Sequence, residues 1–250
     1  MRSFPNFPTL DRQLAAPPAG SRRQRGASIV EFVIVSPFAF LVVLGLVQLG
    51  LMFVAKQIVN EATFVAARAG AVQNAQVGPM KDALTKALIP FYQDSTKTNP
   101  FQRLVFAWGS ARFDLLNPLN LDITVLNPNS NVFDDFGLID SDNHTYIPND
   151  SLDYRDHTVQ GQRSGLSIQD ANALKIRVTY GYQLKVPLME SVFKSVMCGF
   201  DSGVDAFGRG GGLLSGMGSL QDCFQFYNRG RVPIVSYATV QMQSPAWKPN

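Results

Sequence analysis

Gly26, Ala27 and Glu31 stand at the entry to an apolar segment, where a proteolytic cut would create a charged group close to a carboxylate. Hydrolysis after Gly26 would make Ala27 an N-terminal amine and Glu31 the fifth residue of the new chain. That carboxylate could then pair with the terminal amine of a neighbouring subunit. Such a role would account for an acidic residue at the entry to an apolar run, since a carboxylate costs about 2.5–3.5 kcal/mol at a membrane centre and less toward its edge. Cys198 and Cys223, the only cysteines, are the second pair with chemistry to offer. An even number favours a disulfide in an oxidising compartment, and closing the 24 intervening residues would stabilise by roughly 3 kcal/mol in the chain-entropy picture. Two unrelated buried thiols are the alternative. Zinc is disfavoured, because two cysteines without a nearby histidine cannot fill four positions.

Other candidate chemistry is thin. His144 and His157 are the only histidines, both in a polar stretch where a solvated ring is the ordinary outcome. No Gly-x-Ser-x-Gly elbow and no His-Glu-x-x-His pair occurs. Gly208-Arg209-Gly210-Gly211-Gly212 looks like part of a phosphate loop, yet no lysine and Ser/Thr pair follows. No catalytic residue is assigned, and the chain is expected not to be an enzyme. Asp134, Asp135, Asp140, Asp142, Asp150, Asp153 and Asp156 form an acidic stretch dense enough in oxygen ligands to raise the question of calcium. The stretch lacks the glycine and distal glutamate of an EF-hand, so the expectation is a solvated loop with no metal and no cofactor.

The elements that would position Glu31 begin with the apolar run. From Val33 to Ala55 there are 23 consecutive uncharged residues, about 34 Å of helix and enough to cross a bilayer. A cleaved secretory signal fits poorly, because its apolar core is shorter and its cleavage site lies beyond the core. Residues 1–26 hold five arginines against one aspartate, a net charge of +4, whereas residues 27–250 sum to −1. The basic excess therefore belongs to the leader and gives no reason to expect nucleic acid as a partner. Arginines before a span predict a cytoplasmic N-terminus and an exported C-terminal domain.

Beyond the run, the helical period continues to about Asn74 through Ile58, Ala62, Val65, Ala66, Ala69 and Val72. Ala62, Ala66 and Gly70 form a small-xxx-small ladder suited either to another helix or to the chain's own domain. A second helix is expected from Gly78-Pro79 to Tyr92, with Ala83, Leu84, Ala87 and Leu88 inward. Residues 101–115 read as either strand or helix. Strict alternation from Leu174 to Val186 predicts a half-buried antiparallel strand, Leu121–Val125 a shorter one, and Ile234–Gln243 a third bounded by Pro233 and Pro245. The fold class expected is α+β: a long N-terminal transmembrane helix continuing into a small antiparallel-sheet exported domain. The boundaries are a leader at 1–26, the extended helix at 27–76 and the exported domain at 77–250. That domain contains an acidic loop at 127–172 and a glycine-rich loop at 199–218.

A basic leader, Gly26, Glu31 five residues on, Phe32 and then some twenty apolar residues resemble a type IV prepilin. The entry Arg25-Gly26-Ala27 through Glu31-Phe32 to Pro37, followed by Glu61-Ala62-Thr63-Phe64-Val65-Ala66-Ala67-Arg68-Ala69-Gly70, resembles the TadE-like minor pilins (pseudopilins) of tight-adherence pilus systems. Near the other end only Arg231-Val232-Pro233 is similar. The resemblance implies a pilin-like architecture, processing between Gly26 and Ala27 by a prepilin peptidase, and assembly roles for Glu31 and Phe32. It further implies other pilins, an inner-membrane assembly platform and a secretion ATPase as partners, besides membrane lipid. A single-pass bacterial inner-membrane protein, its C-terminal domain periplasmic or on the pilus, is the corresponding location. The rival reading is an exported binding or adhesion module on an uncleaved anchor, using the acidic loop with Phe133, Phe136, Tyr146 and Tyr154. A membrane-tethered hydrolase is the least supported.

Overall fold

The computed structural model describes residues 29–94, 96, 98–198 and 224–249. Gly26, Ala27, the leader, the whole glycine-rich loop at 199–218 and the Cys198–Cys223 pairing lie outside what it describes. The chain divides into two units within its first helix, one ending at Val42 and the other running from Val43. In the first unit the described residues are helical throughout, with side chains almost all exposed.

Helix α1 spans Ile29–Val72 and contains Pro37. Proline offers no N–H to the carbonyl four residues back, so Val33 loses its usual intrahelical donor. The C-terminal end of α1 is closed by a distant stretch of chain. The Ala71 carbonyl accepts from the amides of Gln243 (2.9 Å) and Ser244 (3.1 Å), and Asn74 Nδ2 donates to the Pro245 carbonyl at 2.8 Å. Asn74 and Ala75 both take positive φ there, turning the chain sharply into the next helix.

Helix α2 (Val77–Ala87) is shorter than the sequence predicts, because Pro90 lies within the expected helix and the chain tightens into a 3-10 turn at Ile89–Tyr92. Leu84 and Leu88 are buried as expected, with Met80 beside them, while Ala83 and Ala87 are half-buried. The ambiguous stretch resolves as helix α3 (Pro100–Leu116). Its start explains the outcome: the Asn99 side chain accepts from the amides of Phe101 (3.0 Å) and Gln102 (3.4 Å), and Pro100 occupies the first turn. Ala107, Ala111 and Leu115 face inward, whereas Phe101, Val105, Phe113 and Leu116 are exposed.

The main sheet has three antiparallel strands in the order β1 (Leu121–Asn127), β4 (Ala173–Gln183), β5 (Arg231–Gln241). Leu174, Ile176, Val178, Tyr180 and Tyr182 on β4 are buried, as the alternation requires. Pro233, expected to bound the last strand, instead lies inside β5 opposite Gly181. An edge strand tolerates a residue with no N–H to donate, and β5 is an edge. The outer rim of β5 is guarded by α1, where Lys56 Nζ donates to the Val235 carbonyl and Ser236 Oγ bonds Asn60 Oδ1 at 2.9 Å. A second, minimal sheet joins β2 (Leu138–Ile139), β3 (Thr145–Ile147) and β6 (Ala246–Trp247). Short helices α4 (Ser130–Phe136) and α5 (Ile168–Ala171) precede these sheets' strands, and α6 (Met189–Cys198) follows β4. The architecture is thus the expected α+β, a long apolar helix leading into a small antiparallel-sheet domain.

The ladder of small residues on α1 faces its own domain. Ala55, Val59, Ala62, Ala66, Ala67 and Ala71 are buried in one core with Leu84, Leu174, Ile176 and Val178. The buried stripe is rotated from the one expected, since Val65 and Val72 are exposed and Thr63 is buried. The bulk on this interface comes largely from β4 and α2, so the helix contributes mainly alanines, with Val59, and turns Val65 and Val72 out.

Candidate assembly site along the N-terminal helix

Glu31 lies in the first described turn of α1, with an exposed side chain. Phe32 beside it is 69 % exposed, and Ile34, Leu41 and Leu51 are exposed too. Leu44 is half-buried. One helix, Glu31–Val72, is long and apolar enough among the described residues to cross a membrane. Apolar side chains exposed in this number along one helix are what a lipid-facing or helix-facing element carries.

Farther along α1, Gln48 is a residue that the sequence reading passed over. Its side chain is wholly buried, and its Oε1 accepts from the backbone amides of Val186 (3.0 Å) and Lys185 (3.3 Å). A lone amide in 23 uncharged residues was the signal. It fastens the segment after β4 to the helix. Four residues on, Met52 packs with Leu184, Phe193 and Met197 around Tyr227 and Val232.

The base of the domain is held by one polar centre. Arg231 Nη2 and Nη1 donate to Asp114 Oδ1 (2.7 Å) and Oδ2 (3.1 Å), and Nη1 also reaches the Gly181 carbonyl at 2.8 Å. Tyr92 Oη donates to Asp114 Oδ2 at 2.6 Å and lies 3.2 Å from Tyr180 Oη, while Asn120 Nδ2 donates to Asp114 Oδ1 at 2.7 Å. Both members of the ion pair are largely buried, so losing one would strand the other's charge in a poorly solvated place. The phenol of Tyr180 is pushed up to about 12, mainly by burial, and that of Tyr92 is raised further by burial and by Tyr180 beside it. This cluster gives Arg231 of the Arg231-Val232-Pro233 stretch a structural task.

Several carboxylates of the acidic loop are engaged by its own residues. Asp134 pairs with Arg163 at 2.7 Å, and Asp135 accepts from the amides of Ser164 (2.7 Å) and Arg163 (3.1 Å); the Ser164 hydroxyl first, and then these amides, hold it below the usual carboxylate range. Asp150 pairs with Arg155, and Asp156 accepts from Thr158 Oγ1. Among the described residues no group of three His, Cys, Asp or Glu could hold a metal ion. His144 is exposed and stacks on Trp247 with ring centres 5.5 Å apart. The four aromatics proposed as a binding surface do not share one: Phe133 is buried, Phe136 packs on the core, and Tyr154 is 94 % exposed. Their order in the sequence placed them together, but α4 turns its phenylalanines inward.

The family described as TadE-like protein has a model that matches residues 26–68. The match takes in Gly26, Ala27, Glu31, Phe32 and α1 as far as Arg68. No curated protein and no solved structure matches the chain. From Gly26 to Arg68 the N-terminal part of this chain is therefore similar to TadE-like protein.

Proposed function

We propose that the chain is a membrane-anchored minor pilin, or pseudopilin, that takes part in assembling a tight-adherence pilus. The observation that carries this reading is the coincidence of the TadE-like match with Glu31 on the exposed surface of an apolar helix. The protein acts through its surfaces and not as an enzyme. A prepilin peptidase cuts after Gly26, Ala27 becomes the mature N-terminus, and the Glu31 carboxylate aligns with the amine of an adjoining subunit. Phe32 and the apolar residues that follow face lipid before assembly and other helices afterwards. The exposed apolar side chains of α3 fit a protein that works among partners, here other pilins and an inner-membrane assembly platform driven by a secretion ATPase.

In this reading residues 1–26 stay cytoplasmic until removed, residues 27–76 form the anchor and extended helix, and residues 77–250 form the exported domain. Cys198 and Cys223 then meet an oxidising compartment and join. The test is the mass of the chain recovered from membranes. A mature form beginning at Ala27 is expected, and replacing Gly26 with a bulky residue should leave the precursor uncut. Most chains retaining Met1 or Arg2 would remove the pilin reading and leave a plain anchor.

A further inference from the structure

The loop between β4 and α6 lies beside the apolar section of α1 and not clear of it. Gln48 Oε1 holds the amides of Lys185 and Val186, and Met189 Sδ comes within 4.0 Å of where a side chain on Gly45 would begin. The uncharged run of α1 ends at Ala55, seven residues past Gln48 and ten past Gly45, about 10 and 15 Å along the helix axis. A loop pinned at that level enters whatever medium surrounds the end of the span.

Three features of the loop suit hydrocarbon better than water. Leu188 is 67 % exposed and takes φ +68°, a left-handed conformation that normally goes to glycine or asparagine. Val196, farther along α6, is exposed as well. Four backbone donors of the segment are also met from within. The Lys185 and Val186 amides go to Gln48, the Leu184 amide to the Gly230 carbonyl (3.1 Å), and the Met189 amide to the Val186 carbonyl (3.4 Å), while Pro187 has no donor. Irregular backbone enters a bilayer only where protein meets its hydrogen bonds, and a buried glutamine in an otherwise apolar stretch of helix supplies two of them. Lys185 precedes Leu188, and Glu190 and Lys194 lie between it and Val196, charged and apolar positions interleaved as in a segment lying at a lipid interface. Exposed Leu46, Leu49 and Phe53 on α1 continue the apolar surface at the same level.

We infer that the loop Lys185–Leu188 and the start of α6 form a second membrane contact, a wedge set into the leaflet where α1 leaves the bilayer. The inference rests on α1 being a membrane span. The wedge would fix the rotation of α1 about its axis, because Gln48 ties one face of the helix to the loop.

Brominated-lipid quenching of tryptophan fluorescence tests it, with the full chain in phosphatidylethanolamine/phosphatidylglycerol vesicles. The background carries Trp108→Phe and Trp247→Phe, and single tryptophans are placed by Leu188→Trp, Val196→Trp, Phe53→Trp and Tyr154→Trp. The expected result is that Leu188→Trp and Val196→Trp lose as large a share of fluorescence as Phe53→Trp, while Tyr154→Trp is unaffected. Quenching at Phe53→Trp alone would overturn the wedge and leave the span intact. No quenching at Phe53→Trp would overturn the span and the wedge together. Equal quenching at Tyr154→Trp would mean that the domain lies flat on lipid, which also contradicts a contact confined to this loop.

Discussion

Tyr180 shows how one buried hydroxyl limits the conditions under which this fold survives. Burial among β4, the 3-10 turn at Ile89–Tyr92 and Asp114 raises its phenol from 10.0 to about 12, and Phe91 stacks on its ring at 5.7 Å. The unfolded chain gives up that proton near pH 10, the folded chain only near pH 12. Stability from this group is therefore complete below about pH 10 and is lost as the pH climbs toward 12, on the order of 2 kcal/mol in all. Tyr92, also raised, continues the loss above that range. The unfolding temperature of the full chain in detergent should fall across this window, and Tyr180→Phe should flatten the fall. An equally steep decline in the variant would contradict the assignment. Little of this centre could be read in advance. Arg231 stood out only through its place in a familiar stretch, and its partner Asp114 is 117 residues away, a distance that no local pattern reports.

At the scale of elements, α1 and β4 were legible because each follows its own period over many residues. Four turns of alanines announce a helical face, and Leu174 to Tyr182 alternate without a break. Helix α3 was not legible, since phenylalanine, valine and tryptophan serve strands and helices alike. Its identity came from the Asn99 cap, a feature of two or three residues. The face of α1 that is buried could not be chosen from the sequence either, because it depends on which neighbours bring bulk. Gly70 marks that interface most sharply: a Cβ there would lie 2.5 Å from Met80 Cε and 2.9 Å from Leu174 Cδ2. Gly70→Leu should destabilise the chain by about 1–3 kcal/mol despite leucine's better helix propensity, through overpacking. Adding Met80→Ala should restore part of the loss, measured as the denaturant midpoint of the full chain. Independent, additive effects of the two substitutions would show that α1 and α2 do not meet at this point.

For the whole molecule, the charge distribution, the apolar run and the small sheet domain were all visible as order along the chain. The strand order β1-β4-β5, the pairing of 243–247 with the end of α1, and the Gln48 contact were not, because each joins residues far apart in sequence. The central claim concerns Glu31, whose carboxylate is placed on an exposed surface of the apolar helix. For an anchor alone, Glu31→Ala should be harmless or favourable, since it removes a carboxylate from the edge of hydrocarbon. For a subunit that docks by charge, the amine of Ala27 would lose its partner where the dielectric is low and pairing counts most. The decisive measurement compares membrane level, N-terminal processing and pilus number in cells carrying Glu31→Ala or Glu31→Gln. The account predicts normal insertion, retained cleavage after Gly26 and loss of pili in both; full piliation in both would contradict it.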